Sequence, residues 1–80
     1  MRVNFTKGND VIFTHRIASG RTCAQIATSL AAVRNTGVSV DIGGWIFHRS
    51  DWDAIPAGTY KIEIRNDDGS VACQANFVKN

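Results

Sequence analysis

The stretch FHRSDWDAIPAGTY, residues 47–60, gathers a histidine, an arginine and two aspartates around large aromatics. His48, Asp51 and Asp53 carry the atoms of a divalent-metal site, and an ion held by them would generate the hydroxide of a metal-dependent hydrolase. No fourth ligand stands nearby in sequence, and a plainer reading is available. Ser50 with Asp53 three residues later makes a capping-box-like start for one helical turn, whose positive end suits the aspartates. Pro56, the only proline, disfavours helix at Ile55 and stops the turn. Trp52 and Ile55 lie three apart, share a side, and can plug the open end of a core beside Trp45 and Phe47. The expectation is a structural corner, with no metal and no catalytic group; the hydrolase is kept as an alternative.

Other chemistry is weaker still. Cys23 and Cys73 are the two cysteines, with no CxxC and no histidine at ligand spacing, and neither sits in a nucleophile-elbow pattern. They read as two buried free thiols in a reducing compartment, with a disulfide between them as the second reading. His15 falls on the apolar side of its strand and reads as a core-edge histidine. The glycines are scattered among turns and make no phosphate loop, so no nucleotide cofactor is expected.

The elements that must position these groups follow from period-two alternation broken by one helical segment. Val3 and Phe5, then Val11, Phe13 and Ile17, alternate with polar residues around Lys7-Gly8-Asn9, which reads as a three-residue hairpin loop setting Phe5 opposite Val11 and Val3 opposite Phe13. In SGRTCAQIATSLAAVRNTG, Thr22 or Ser19 can cap a helix whose stripe is Cys23, Ile26, Ala27, Leu30 and Val33 or Ala31, ended by Arg34 and Gly37. Gly43-Gly44 joins VSVDI to WIFHR in a primed turn, pairing Ile42 with Trp45, Val40 with Phe47 and Val38 with Arg49, and turning Ile46 and His48 to the opposite face. The last hairpin pairs Ile64 with Val71 across Asn66–Gly69. It lines up Tyr60, Ile62 and Ile64 inside with Val71, Cys73, Ala75 and Phe77, so Cys73 from the sheet and Cys23 from the helix come close. The sum is a single domain, 1–80, of the α+β class: an antiparallel sheet of five or six strands (β-β-α-β-β-β-β) with one helix packed on one face.

The face left outside is the feature that bears on function. By these registers it collects Arg2, Arg16, His48, Lys61 and Arg65 against Asp41 and Glu63, with Ile12 and Ile46 as exposed apolar residues. Arg2, Ile12, Arg16, Ile46, His48, Lys61 and Arg65 are therefore the expected partner-binding set: basic enough to meet an acidic protein, with two isoleucines as anchors. A weak nucleic-acid binder, using Arg2, Arg16, Lys61 and Arg65 on phosphates, is the second possibility. A sheet that reads RNA would carry exposed aromatics, and the registers assign the aromatics inside.

Eighty residues bound one core, and nine Lys and Arg against seven Asp and Glu leave a charge of only +2, too small and dispersed for a dedicated nucleic-acid binder. No apolar run nears the length of a membrane span, and the start at Met1 without a leader pattern reads as a complete, unsecreted, cytoplasmic product. In size and style the chain resembles the small accessory proteins of bacteriophages and other mobile elements, which commonly act by occupying a host protein's surface. That resemblance implies a non-enzymatic binder or inhibitor of a host or cognate protein. Unpaired sheet edges add the expectation of a homodimer.

Overall fold

The computed structural model describes residues 1–18 and 20–80, so the expected capping role of Ser19 lies outside the described residues. The described chain is α+β, in the order β1 (Arg2–Lys7), β2 (Asp10–Arg16), α1 (Cys23–Thr36), β3 (Val40–Asp41), β4 (Ile46–Phe47), α2 (Arg49–Asp53), β5 (Gly58–Arg65) and β6 (Val71–Lys79). The strands do not form one sheet of five or six. Four make an antiparallel sheet in the order β2-β1-β5-β6, and β3 and β4 pair only with each other.

Coverage of the core explains the separation. α1 packs over β5 and β6, leaving Phe13 and His15 of β2 uncovered on the inner face. The β3–β4 hairpin supplies the lid: Trp45 stacks on His15 at 4.2 Å between ring centres, and Phe47 meets Phe13 edge-on at 6.1 Å. Burying those rings gains more than extending the sheet by two-residue strands would. The hairpin register is the expected one, Val40 opposite Phe47 with Ile42 bonded to Trp45, but pairing stops there. Val38 is exposed and Arg49 opens α2 instead of facing it.

Helix α1 starts where its residues dictate. The Thr22 hydroxyl accepts the Gln25 N–H while the Gln25 side chain accepts the Thr22 N–H, a complete capping box, and Gly37 in the left-handed region donates its N–H to the Val33 carbonyl. Cys23, Ile26, Leu30 and Val33 form the buried stripe. Cys23 is bonded to Cys73, with Cα atoms 6.0 Å apart, so the two free thiols of the first reading are corrected to a disulfide. Burial alone does not separate thiols from a disulfide; the stripe and the strand had to meet before the spacing was decided.

Two bulges correct the sheet registers. The first turn is the two-residue Gly8-Asn9, and a shift between Phe5 and Thr6 sets Phe5 opposite Phe13 and Val3 opposite His15. Phe13, Phe5 and Tyr60 then stack at 4.9 and 4.6 Å, a three-strand aromatic ladder that Val11 could not have made. Near the β5–β6 turn a second shift pairs Ile64 with Cys73 and Arg65 with Val71, so Val71 joins the outer row. The rest of that inner row, Tyr60, Ile62, Ile64 and Phe77, is buried as expected.

Candidate binding face

The outer face of the four-stranded sheet is built from the alternate residues of each strand. Its middle rank runs Thr14, Asn4, Glu63, Gln74 across all four strands. The Thr14 hydroxyl donates to the Asn4 carbonyl oxygen at 2.7 Å, and the Gln74 amide donates to Glu63 at 2.9 Å. Glu63 also accepts from Arg65 Nε at 2.7 Å, and this bond, opposed by partial burial, holds its carboxyl below the usual carboxylate range.

The next rank is basic. Arg2 lies directly opposite Arg16 on one side and Arg65 on the other, so three arginines cross β2, β1 and β5 in a line. Arg65 is fixed by Glu63 and by donating to the Gly69 carbonyl at 2.7 Å; Arg2 reaches the Thr14 hydroxyl at 3.4 Å. Beside them the α-amino group of Met1 bonds Asp67 at 2.9 Å, which, ahead of the field of Arg16, lowers the Asp67 carboxyl from its ordinary range. These groups line an open cleft of about 320 Å³ closed at one end by the β5–β6 turn. On the other side of the middle rank, Thr6, Lys61 and Asn76 continue the face.

Four of the seven expected residues, Arg2, Arg16, Lys61 and Arg65, therefore share the outer face. Ile12 sits in the β2 bulge at its margin, 38% exposed. Ile46 and His48 do not belong to it: the hairpin that carries them lies over the inner side of β2, so the correction removes both from this face. Ile46 is exposed there, opposite Asp41, and His48 Nδ1 is 2.7 Å from the Ser39 hydroxyl. In their place the bulges bring two residues assigned inside, Val11 and Val71, to the outer rows, where Val78 stands by plain alternation. Val11 stands opposite Thr6 and is 59% exposed, Val71 stands opposite Arg65, and Val78 stands opposite Thr59. The only sequence signal for this was a β-branched residue one position from a turn.

The 47–60 segment is a corner. Its turn begins two residues earlier than expected, with His48 as cap and its N–H donating to Asp51 at 2.9 Å, while Asp53 pairs with Arg49 at 3.0 Å. Among the described residues no three His, Cys, Asp or Glu side chains are placed to hold one metal ion. Trp52 and Ile55 are buried and plug the core as expected. Sequence reading missed Lys79, whose ammonium donates to the Trp52 carbonyl at 2.6 Å and to that of Ile55, and lies 4.7 Å from the Trp52 ring centre. It caps the end of α2, a role that exists only because β6 returns beside the corner.

Among the described residues no helix is long and apolar enough to cross a membrane. Compared with protein-family models, with curated proteins and with solved structures, the chain matches none.

Proposed function

We propose that the protein is a small non-enzymatic binding protein that docks an acidic protein partner on the outer face of its four-stranded sheet. One observation carries the reading: a polar centre with Arg2, Arg16, Arg65 and Lys61 is flanked along both edge strands by the exposed aliphatics Val11, Ile12, Val71 and Val78. Cations steer and orient an acidic surface, and apolar residues at the margins give it area to bury. Aliphatic edges serve a protein partner and do nothing for phosphates, which ranks nucleic acid second. Occupation of a partner's surface is also how the mobile-element accessory proteins of similar size work, and inhibition is the effect it produces. The edges of β2 and β6 offer backbone groups for a homodimer or for strand addition by the partner.

The disulfide changes the setting. Such bonds persist in oxidising surroundings, so we infer that the protein works outside a reducing cytoplasm.

Affinity capture with Lys61→Glu, Val78→Asp and Ile46→Asp variants tests the face. The first two should lose the partner that the wild type retains, and Ile46→Asp, on the other side of the molecule, should keep it. Capture that survives both outer-face changes would eliminate this surface. Retention of an oligonucleotide, lost steeply with salt, would move the assignment to nucleic acid.

A further inference from the structure

We propose that the cleft between Arg2, Arg16, Arg65 and the β5–β6 turn is a binding site for a phosphate dianion, free or carried by a small phosphate monoester. The site stands on its own geometry and does not require the protein partner proposed above.

Three features point to it. Neighbouring strands lie about 4.8 Å apart, so Arg16, Arg2 and Arg65 spring from one short row, and all three line the same cleft. Like charges directly opposite each other destabilise a sheet, and here Arg2 has one on both sides. An anion between them converts that repulsion into attraction.

The local charge balance sets the valence of the anion. Glu63 is paired with Arg65, and Asp67, the one carboxylate in the cleft, is paired with the α-amino group of Met1. Among the described residues neither Arg2 nor Arg16 has a carboxylate within ion-pair distance, so two positive charges are left for a ligand. A phosphate monoester or free phosphate near pH 7 carries a charge close to that.

Geometry sets its shape. Arg65 is already held by Glu63 and by the Gly69 carbonyl, which spend two of its five donors, fix the guanidinium at the cleft and leave three donors for a ligand. Guanidinium forks match pairs of phosphate oxygens, and a preorganised fork loses less freedom on binding than a mobile lysine. The cleft, at about 320 Å³, exceeds one phosphate and lies at the small end of ligand sites. Its remaining wall, Met1, Asn66 and Gly69, has the polar backbone and small apolar surface to take the organic part of a monoester.

The test is a nuclear magnetic resonance titration of the oxidised full chain at pH 7.5 and constant ionic strength, with inorganic phosphate, with adenosine monophosphate, and with chloride as the control anion. Saturating shifts of the Arg2, Arg16 and Arg65 Nε–H signals and of the Asn66–Gly69 amides are expected with phosphate. Tighter binding of the monophosphate identifies a monoester as the source, and equal binding identifies free phosphate. Arg16→Gln should weaken binding about tenfold, the loss of one charged hydrogen-bonding partner. Arg16 makes no hydrogen bond or ion pair among the described side chains, so this variant is expected to fold, with melting temperature as the check. Lys61→Gln, on the same face about 13 Å along β5, should leave binding unchanged. Shifts that do not saturate, or that weaken equally in both variants, would overturn the site in favour of diffuse surface charge.

Discussion

Glu63 is the residue on which the outer face turns, because it accepts from Arg65 and Gln74 in adjacent rows. Its carboxyl titrates below its ordinary value of 4.5 in the folded chain, chiefly through the Arg65 bond. A depressed folded value means the ionised form is favoured by folding, so this contribution is fully present above the unfolded value and disappears as pH falls through the folded one. Stability should therefore drop on acidification below about pH 4.5, and Glu63→Gln should flatten part of that acid limb in urea melts recorded from pH 7 to 3. Gly43 makes a different demand. It sits at φ +65°, and an added Cβ would come within 3.3 Å of Ile17 Cβ and 3.4 Å of the Ala18 nitrogen, next to the Ala18 N–H bond to the Gly43 carbonyl. Gly43→Ala is expected to cost about 1–3 kcal/mol from left-handed strain and crowding together, read as a lowered melting midpoint. Gly44 has open space around it and owes its identity to φ alone.

At the scale of elements, the disulfide is the tie between α1 and the edge strand β6. It closes a loop with a sequence separation of 50, for which chain entropy gives about 4 kcal/mol. The Cys23 N–H at the start of the helix points at the Cys73 sulfur at 3.1 Å, so the bond also occupies an otherwise unpaired donor. Reduction, or the Cys23→Ala/Cys73→Ala pair, should lower the melting temperature by on the order of 15 °C, measured with and without reductant. An unchanged midpoint would mean that the helix is held by its apolar stripe alone. The corner behaves as a second tie: α2 anchors Trp52, and Lys79 from the end of β6 closes its carbonyl end. Trp52→Ala should cost about 3–5 kcal/mol, since it empties a space bounded by Phe77 and removes the ring under the Lys79 ammonium.

For the whole molecule, unequal layering predicts unequal stability. β1 and β5 are central, paired on both sides, and carry Val3, Phe5, Ile62 and Ile64, which are completely buried. The β3–β4 hairpin has two-residue strands and rests on aromatic stacking over β2. Hydrogen exchange should find the slowest amides in β1 and β5 and much faster ones in the hairpin, because local opening of the lid leaves the central pair intact. Uniform protection across both sheets would contradict a separable lid. The arrangement also makes the two sides of the sheet unlike: the hairpin side closes the core, and the outer side is left exposed, the face proposed above for binding.

Much of this was legible in one dimension. Alternation over Val3–Phe5 and Tyr60–Ile64 placed those strands, the three-and-four spacing of Cys23, Ile26, Leu30 and Val33 placed the helix, and Trp52 with Ile55 before Pro56 marked the corner. All of these depend on neighbours within a few residues, where sterics and periodicity act. The bulges at Phe5/Thr6 and Ile64/Arg65 were not legible, because each is settled by which aromatic or sulfur across the sheet completes the core. That is why Val11 and Val71 were assigned to the wrong side. The detachment of the β3–β4 hairpin, which carried Ile46 and His48 away from the arginines, was likewise decided by the uncovered rings of β2. The approach of Cys23 to Cys73 was legible from the helical stripe and the β6 alternation; that the two sulfurs are bonded was not. Local chemistry determined which residues are helix, strand and turn; only long-range packing determined which of them face each other, and hence where three arginines stand in a row.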